Sequence, residues 1–172
     1  MNKTKQIIYL ASCIIYFASF AFAQDAESYY KTGDHKFELG LYDEALQEFS
    51  KAIEKDNKHI NAWIKRGFCN SFLGNYEAAE RDFTKVIEMN PKFTQAYLSR
   101  GSAKNKLKKY NEAIVDFNKV LSIDSKNTEA MNNRGWAKKG QGDKSGACND
   151  WEQSKKLGNK EAKIILHNNN CN

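Results

Sequence analysis

Along residues 26–161 the apolar residues recur at i, i+3 and i+4 spacings, the intervals that place one buried stripe on an α-helix. The stripes come in pairs. Leu39-Gly40 and Leu73-Gly74 separate the members of a pair, and glycine at a helix end reaches the left-handed region at little cost. The pattern predicts an all-α chain built of helix-turn-helix hairpins. The hairpins repeat with a period of 34 residues. Gly67, Gly101 and Gly135 each follow an arginine (Arg66, Arg100, Arg134). Sixteen residues after each arginine stands an aspartate (Asp82, Asp116, Asp150), followed by Phe83, Phe117 or Trp151. Gly33 opens the series, and Ala45, Ala79, Ala113 and Ala147 keep one offset from the four glycines.

Counting Gly33 as position 8 divides the chain into repeats 26–59, 60–93, 94–127 and 128–161. Position 4 is Tyr29, Trp63, Tyr97 and Met131; position 24 is Phe49, Phe83, Phe117 and Trp151. Position 17 is Tyr42, Tyr76 and Tyr110 in the first three repeats, and position 27 is Ala52, Val86, Val120 and Ser154. Glycine at position 8 and alanine at position 20 let two antiparallel helices approach closely. Pro91 stands at position 32 and stops a helix, where Asn57, Ser125 and Asn159 supply other turn formers. This set resembles the tetratricopeptide repeat family, whose length is 34 residues. The resemblance covers nearly the whole chain after residue 25. It implies an α-solenoid of four repeats in a short right-handed superhelix, because one hairpin cannot bury its stripe alone. The fourth repeat departs from the pattern: Gln141-Gly142-Asp143-Lys144 lacks the turn tyrosine. After it, Ala162-Lys163-Ile164-Ile165-Leu166 reads as a capping helix over about residues 160–167, with an apolar side toward repeat four and polar Lys163 and His167 elsewhere.

The N-terminus follows a different rule. Lys3 and Lys5 precede an apolar run from Ile7 to Phe20, and Ala21-Phe22-Ala23 gives a small-x-small site. Residues 1–23 therefore read as a cleaved signal peptide. The run is short of the ~20 apolar residues that span a bilayer, and two alternatives remain: an uncleaved anchor, and lipidation at Cys13 within Leu10-Ala11-Ser12-Cys13. The expectation is export, to the periplasm or beyond. Without Lys3 and Lys5 the formal charge falls from +6 to +4, no acidic residue preceding Asp25. The basic residues are dispersed apart from Lys104, Lys106, Lys108 and Lys109, so the charge reads as a solvated surface and not a nucleic-acid site.

Candidate chemistry is sparse. His35, His59 and His167 lie in separate helical units, with neither nucleophile–base nor metal-ligand spacing. No glycine-rich phosphate loop occurs, and no metal, cofactor or enzyme activity is expected. Arg66, Arg100 and Arg134 can meet Asp82, Asp116 and Asp150 either within a repeat or between neighbours. The constant offset favours a structural ion-pair ladder over anion capture. In the tetratricopeptide family, positions 2, 5, 9, 12 and 13 line a concave groove. Carried over by position, the groove includes Tyr30, Phe37, Ile64, Phe68, Phe72, Leu98, Asn105, Asn132 and Trp136. These residues serve either partner binding or helix packing; the sequence leaves both open. Lys and Asn at positions 5 and 9, which clamp a C-terminal carboxylate in some members, occur together in no repeat. The end of the chain, Gly146-Ala147-Cys148-Asn149-Asp150-Trp151 with Leu157-Gly158 and Cys171, resembles exported tetratricopeptide proteins of Bacteroidetes-type bacteria. The resemblance and an oxidising compartment imply a Cys148–Cys171 disulfide, with Cys69 a small buried hydrophobe. The expected function is a non-catalytic scaffold or adaptor for a protein or peptide in the cell envelope. The alternative is an accessory or regulatory subunit of an envelope enzyme, contacting it through the convex face or termini.

Overall fold

The computed structural model describes residues 25–171; the predicted signal peptide 1–23, its cleavage site and Cys13 lie outside the described residues. Nine helices follow one another within the described residues. They are α1 (Ala26–Glu38), α2 (Tyr42–Lys55), α3 (Ile60–Phe72), α4 (Tyr76–Met89), α5 (Thr94–Lys106), α6 (Tyr110–Ile123), α7 (Thr128–Gly140), α8 (Lys144–Lys156) and α9 (Lys160–Asn168). No strand occurs among them. Each helix packs on its sequence neighbours, and α1, α3, α5 and α7 also touch in series. The result is an all-α solenoid, with α9 laid against α8.

Helix starts have local causes. Asp25, Asn127, Asp143 and Asn159 each accept a backbone N–H from the first turn of the helix that follows, satisfying a donor that the helix itself leaves open. His59 does the same for α3 through its ring nitrogen, which accepts from the Ala62 N–H at 3.1 Å. Helix ends close by turning the backbone left-handed. Gly40, Gly74, Gly142 and Gly158 hold positive φ, while Lys108 takes that conformation at φ 60° in the third hairpin. There the N–H of Lys109 returns to the carbonyl of Lys104 at 2.9 Å, the six-to-one bond that ends a helix at such a turn.

The core runs along the stack. Phe49, Phe83, Phe117 and Trp151 are fully buried, as are Ala45, Ala79, Ala113 and Ala147. Each aromatic ring packs against the glycine of its own repeat. A Cβ built on Gly67 would stand 2.6 Å from the Phe83 ring, and one on Gly101 2.7 Å from Phe117. At the C-terminal end Ala162, Ile165 and Leu166 are buried against α8. The apolar cluster there joins Ala147 and Trp151 to Ile165, Leu166 and Cys171.

Candidate protein-binding surface

The arginine–aspartate pairs close within each repeat. Arg66 grips Asp82 with two nitrogens, Nε at 3.1 Å and Nη2 at 2.7 Å. Arg100 holds Asp116 at 2.9 and 2.6 Å, and Arg134 holds Asp150 at the same two distances. The third nitrogen reaches back one repeat: Nη1 donates to Ser50 from Arg66, to Thr84 from Arg100 and to Asn118 from Arg134. The pairs thus tie each hairpin internally and stitch it to its predecessor. All three carboxylates are buried, so the arginines are already neutralised and unavailable to an external anion. For Arg100, burial alone would favour the neutral form, but bonding to Asp116 outweighs it and raises the pKa.

A second cation was not legible in the sequence. Lys104 lies 3.0 Å from Asp116 and Lys138 2.9 Å from Asp150. In repeat two the same position is Asn70, whose amide donates to Asp82 at 2.9 Å. One arginine and one lysine therefore share each aspartate in repeats three and four, whereas Asp82 has one arginine and a neutral amide.

The residues assigned to the groove separate into classes. Ile64 and Leu98 are buried core residues, and Asn132 is buried beside Trp151, whose indole N–H donates to the Asn132 carbonyl at 3.1 Å. At these three the structure shows packing, one of the two roles the sequence leaves open, and little of their surface is free. Tyr30 is half-buried against Phe49 and His59, and Phe68 packs on Phe83 with ring centres 5.5 Å apart. Asn105 donates across the stack to the Asn133 carbonyl at 2.9 Å. Phe37 and Phe72 join Tyr42 in a three-ring cluster, Phe72 stacked on Tyr42 at 4.6 Å.

Trp136 remains open. The residue is 42% exposed, its ring edge-on to Trp151 at 5.1 Å, with Lys139 above it. It borders a hollow of about 460 Å³ whose other walls are Ser102, Asn105, Lys106, Tyr110 and Asn133. Two aromatic rings, a lysine and a row of amide and hydroxyl groups can receive a side chain and bond a polypeptide backbone. Tyr110 enters this wall because Gly140 leaves room for its ring on α7.

Cys148 and Cys171 lie with their sulfurs at bonding distance and their Cα atoms 5.5 Å apart, inside the range disulfides occupy. Cys69 is free and buried, and burial pushes its thiol from 9.0 up to about 12. Among the described residues no cluster of His, Cys, Asp and Glu has the arrangement of a metal site. No helix of the described residues is long and apolar enough to cross a membrane.

Two family models, each described as tetratricopeptide repeat, match residues 60–93 with 94–127 and residues 26–59. No curated protein matches the chain in sequence. Among solved structures, a crystal structure of MamA is 23% identical, covers 83% of this chain and 84% of its own, and has a TM-score of 0.76. The first TPR of Spaghetti (RPAP3), bound to the HSP90 peptide SRMEEVD, is 28% identical over 69% of this chain and 94% of its own, with a TM-score of 0.66. The second TPR domain of human RPAP3, in complex with the HSP70 peptide SGPTIEEVD, is 29% identical over 66% and 94%, with a TM-score of 0.63. With the repeats matched over more than half its length, this chain belongs to the tetratricopeptide repeat family.

Proposed function

We propose that this protein is an exported, non-catalytic scaffold that holds a peptide or protein segment in its concave groove, between repeats three and four. The observation that carries the reading is Trp136, a large aromatic left open at the mouth of the hollow it shares with Tyr110. Exposed aromatics flanked by hydrogen-bonding groups are the anchors that dominate protein interfaces. Two of the structural neighbours carry bound peptides, which supports a peptide as the occupant here. The Lys and Asn that clamp a C-terminal carboxylate in some family members are absent here, since positions 5 and 9 of the four repeats are Tyr30/Asp34, Ile64/Phe68, Leu98/Ser102 and Asn132/Trp136.

A second reading rests on α6. Val115 is 66% and Ile123 51% exposed there, two turns apart on the second helix of repeat three, so an envelope partner can also dock on the outer face. Crosslinked pull-down from the envelope fraction separates the two. Trp136→Ala is expected to abolish capture and Val115→Ser with Ile123→Ser to leave it intact. The reverse pattern would transfer the function to the outer face, in the accessory-subunit role. Export carries a further consequence: in an oxidising compartment Cys148 and Cys171 form a disulfide that staples α9 to α8. N-terminal sequencing of the mature protein is expected to begin at Gln24; a start at Met1, or a lipidated Cys13, would overturn the cleaved-signal reading.

A further inference from the structure

We propose that the turn-bearing edge of repeats one and two is a second interaction surface, distinct from the Trp136 hollow, fitted to a basic amphipathic segment of a partner protein. Phe72 and Leu39 are each 61% exposed and Leu41 is 44% exposed. Phe72 and Leu41 belong to one patch through Tyr42, with Leu39 beside it in the chain. Phe72 stacks on Tyr42 and touches Phe37, while Leu41, Tyr42 and Leu73 share the wall of a shallow hollow of about 240 Å³. Exposed apolar side chains scattered singly are ordinary, but a contiguous patch with aromatic rings held in place marks an interaction surface.

Stacking of the repeats does not require it. The residues that take the place of Phe72 in α5 and α7 are Lys106 and Gly140, and those hairpins pack equally well. Three rings therefore sit together at one edge, where Phe37 and Tyr42 also pack on the core at Ala45, Phe49 and Cys69 while Phe72 stays exposed.

The charges around the patch choose its occupant. Asp43 and Glu44 line the shallow hollow, and Glu38 precedes Leu39; all three are exposed. The nearby cations are engaged: Lys36 with Glu44 and Glu48, Lys65 with Asp34 and over the Phe37 ring. Glu38 and Asp43 make no ion pair among the described residues. An apolar edge rimmed by uncompensated carboxylates complements a segment bearing leucine or phenylalanine on one face and lysine or arginine on the other.

The test uses the mature protein and a labelled synthetic amphipathic helix of leucine and lysine, compared with the same peptide carrying glutamate for lysine, by fluorescence anisotropy. The lysine peptide is expected to bind, and the glutamate peptide to fail. Phe72→Ala with Leu41→Ser should weaken binding by about tenfold or more. Glu38→Lys with Asp43→Lys, which leaves every apolar contact in place, should reverse the preference between the peptides. Trp136→Ala should change nothing, so loss of the groove function and loss of this surface are separate results. Circular dichroism checks that each variant keeps its helices. Equal binding of the two peptides, or full affinity after Phe72→Ala with Leu41→Ser, would overturn the proposal. So would a concentration-dependent dimer in sedimentation that Phe72→Ala abolishes, since the occupant would then be a second copy.

Discussion

Asp116 is 1% exposed and faces Arg100 and Lys104 together. Removing it strands Arg100 and leaves Lys104 only Glu112, 3.6 Å away, and breaking a buried pair in this way typically costs ~3–5 kcal/mol. Asp82 faces Arg66 and the neutral Asn70 amide, so its loss strands one cation. Asp116→Ala is therefore expected to lower the urea midpoint more than Asp82→Ala, and equal shifts would show that the lysine adds nothing. The sequence exposed half of this arrangement. A constant sixteen-residue offset betrayed the arginine pairs, whereas Lys104 and Lys138 were invisible because Asn70 breaks their series. Nor could spacing tell the buried Ile64 and Leu98 from the exposed Trp136. One helical stripe feeds both the concave face and the seam between helices, and only the crossing geometry separates them. Cys69 gives a second test at this scale. Its thiol is held protonated by burial, at about 12 against 9.0. The unfolded chain ionises above 9.0 while the folded one stays neutral, so this group's contribution is complete below that pH and is lost as pH rises toward 12. Iodoacetamide at pH 8 should leave Cys69 unmodified in the folded protein and label it in guanidinium; fast labelling under native conditions would contradict the burial.

Each hairpin depends on a ring lying against a glycine. At Gly101 a new Cβ would stand 2.7 Å from Phe117, itself fully buried. Gly101→Ala favours the helix by propensity, by roughly 1 kcal/mol. The overpacking it forces costs about 1–3 kcal/mol, so net destabilisation is expected. Thermal melting decides between them, and a raised midpoint would mean that Phe117 can shift freely. The helices themselves were legible because their periodicity and their turn glycines agree. The third turn was less so. Lys108 adopts positive φ where the other turns use glycine, a local cost that tertiary packing of α5 on α6 overrides. By sequence the tyrosine at position 17 belongs to the turn. In the structure Tyr42 instead reaches forward to Phe72, and that contact, between residues of adjacent repeats, has no signature in either repeat alone.

At the scale of the whole molecule, a solenoid has no central core, and each repeat is held only by its neighbours. Its ends are accordingly the places where it opens first. The N-terminal end is tied by a capping aspartate and by Glu27, which lies 3.4 Å from His59 of the next loop. The C-terminal end is a nine-residue helix seated on α8 through Ala162, Ile165 and Leu166. So short a helix is not stable alone. The Cys148–Cys171 pair spans 23 residues, and a bridge closing a loop of that size contributes ~3 kcal/mol by restricting the unfolded ensemble. That contribution falls on one end, so reduction is expected to act locally. In hydrogen exchange after treatment with a phosphine reductant, amides of α9 and the second half of α8 should lose protection first. Those of α3 to α6 should be unchanged. Native alkylation should then add two groups, with Cys69 reacting only on unfolding. A uniform loss of protection along the chain would mean that the array unfolds as one unit and that the cap is not its weakest joint. Two alkylated thiols without any reductant would mean that the bridge does not form.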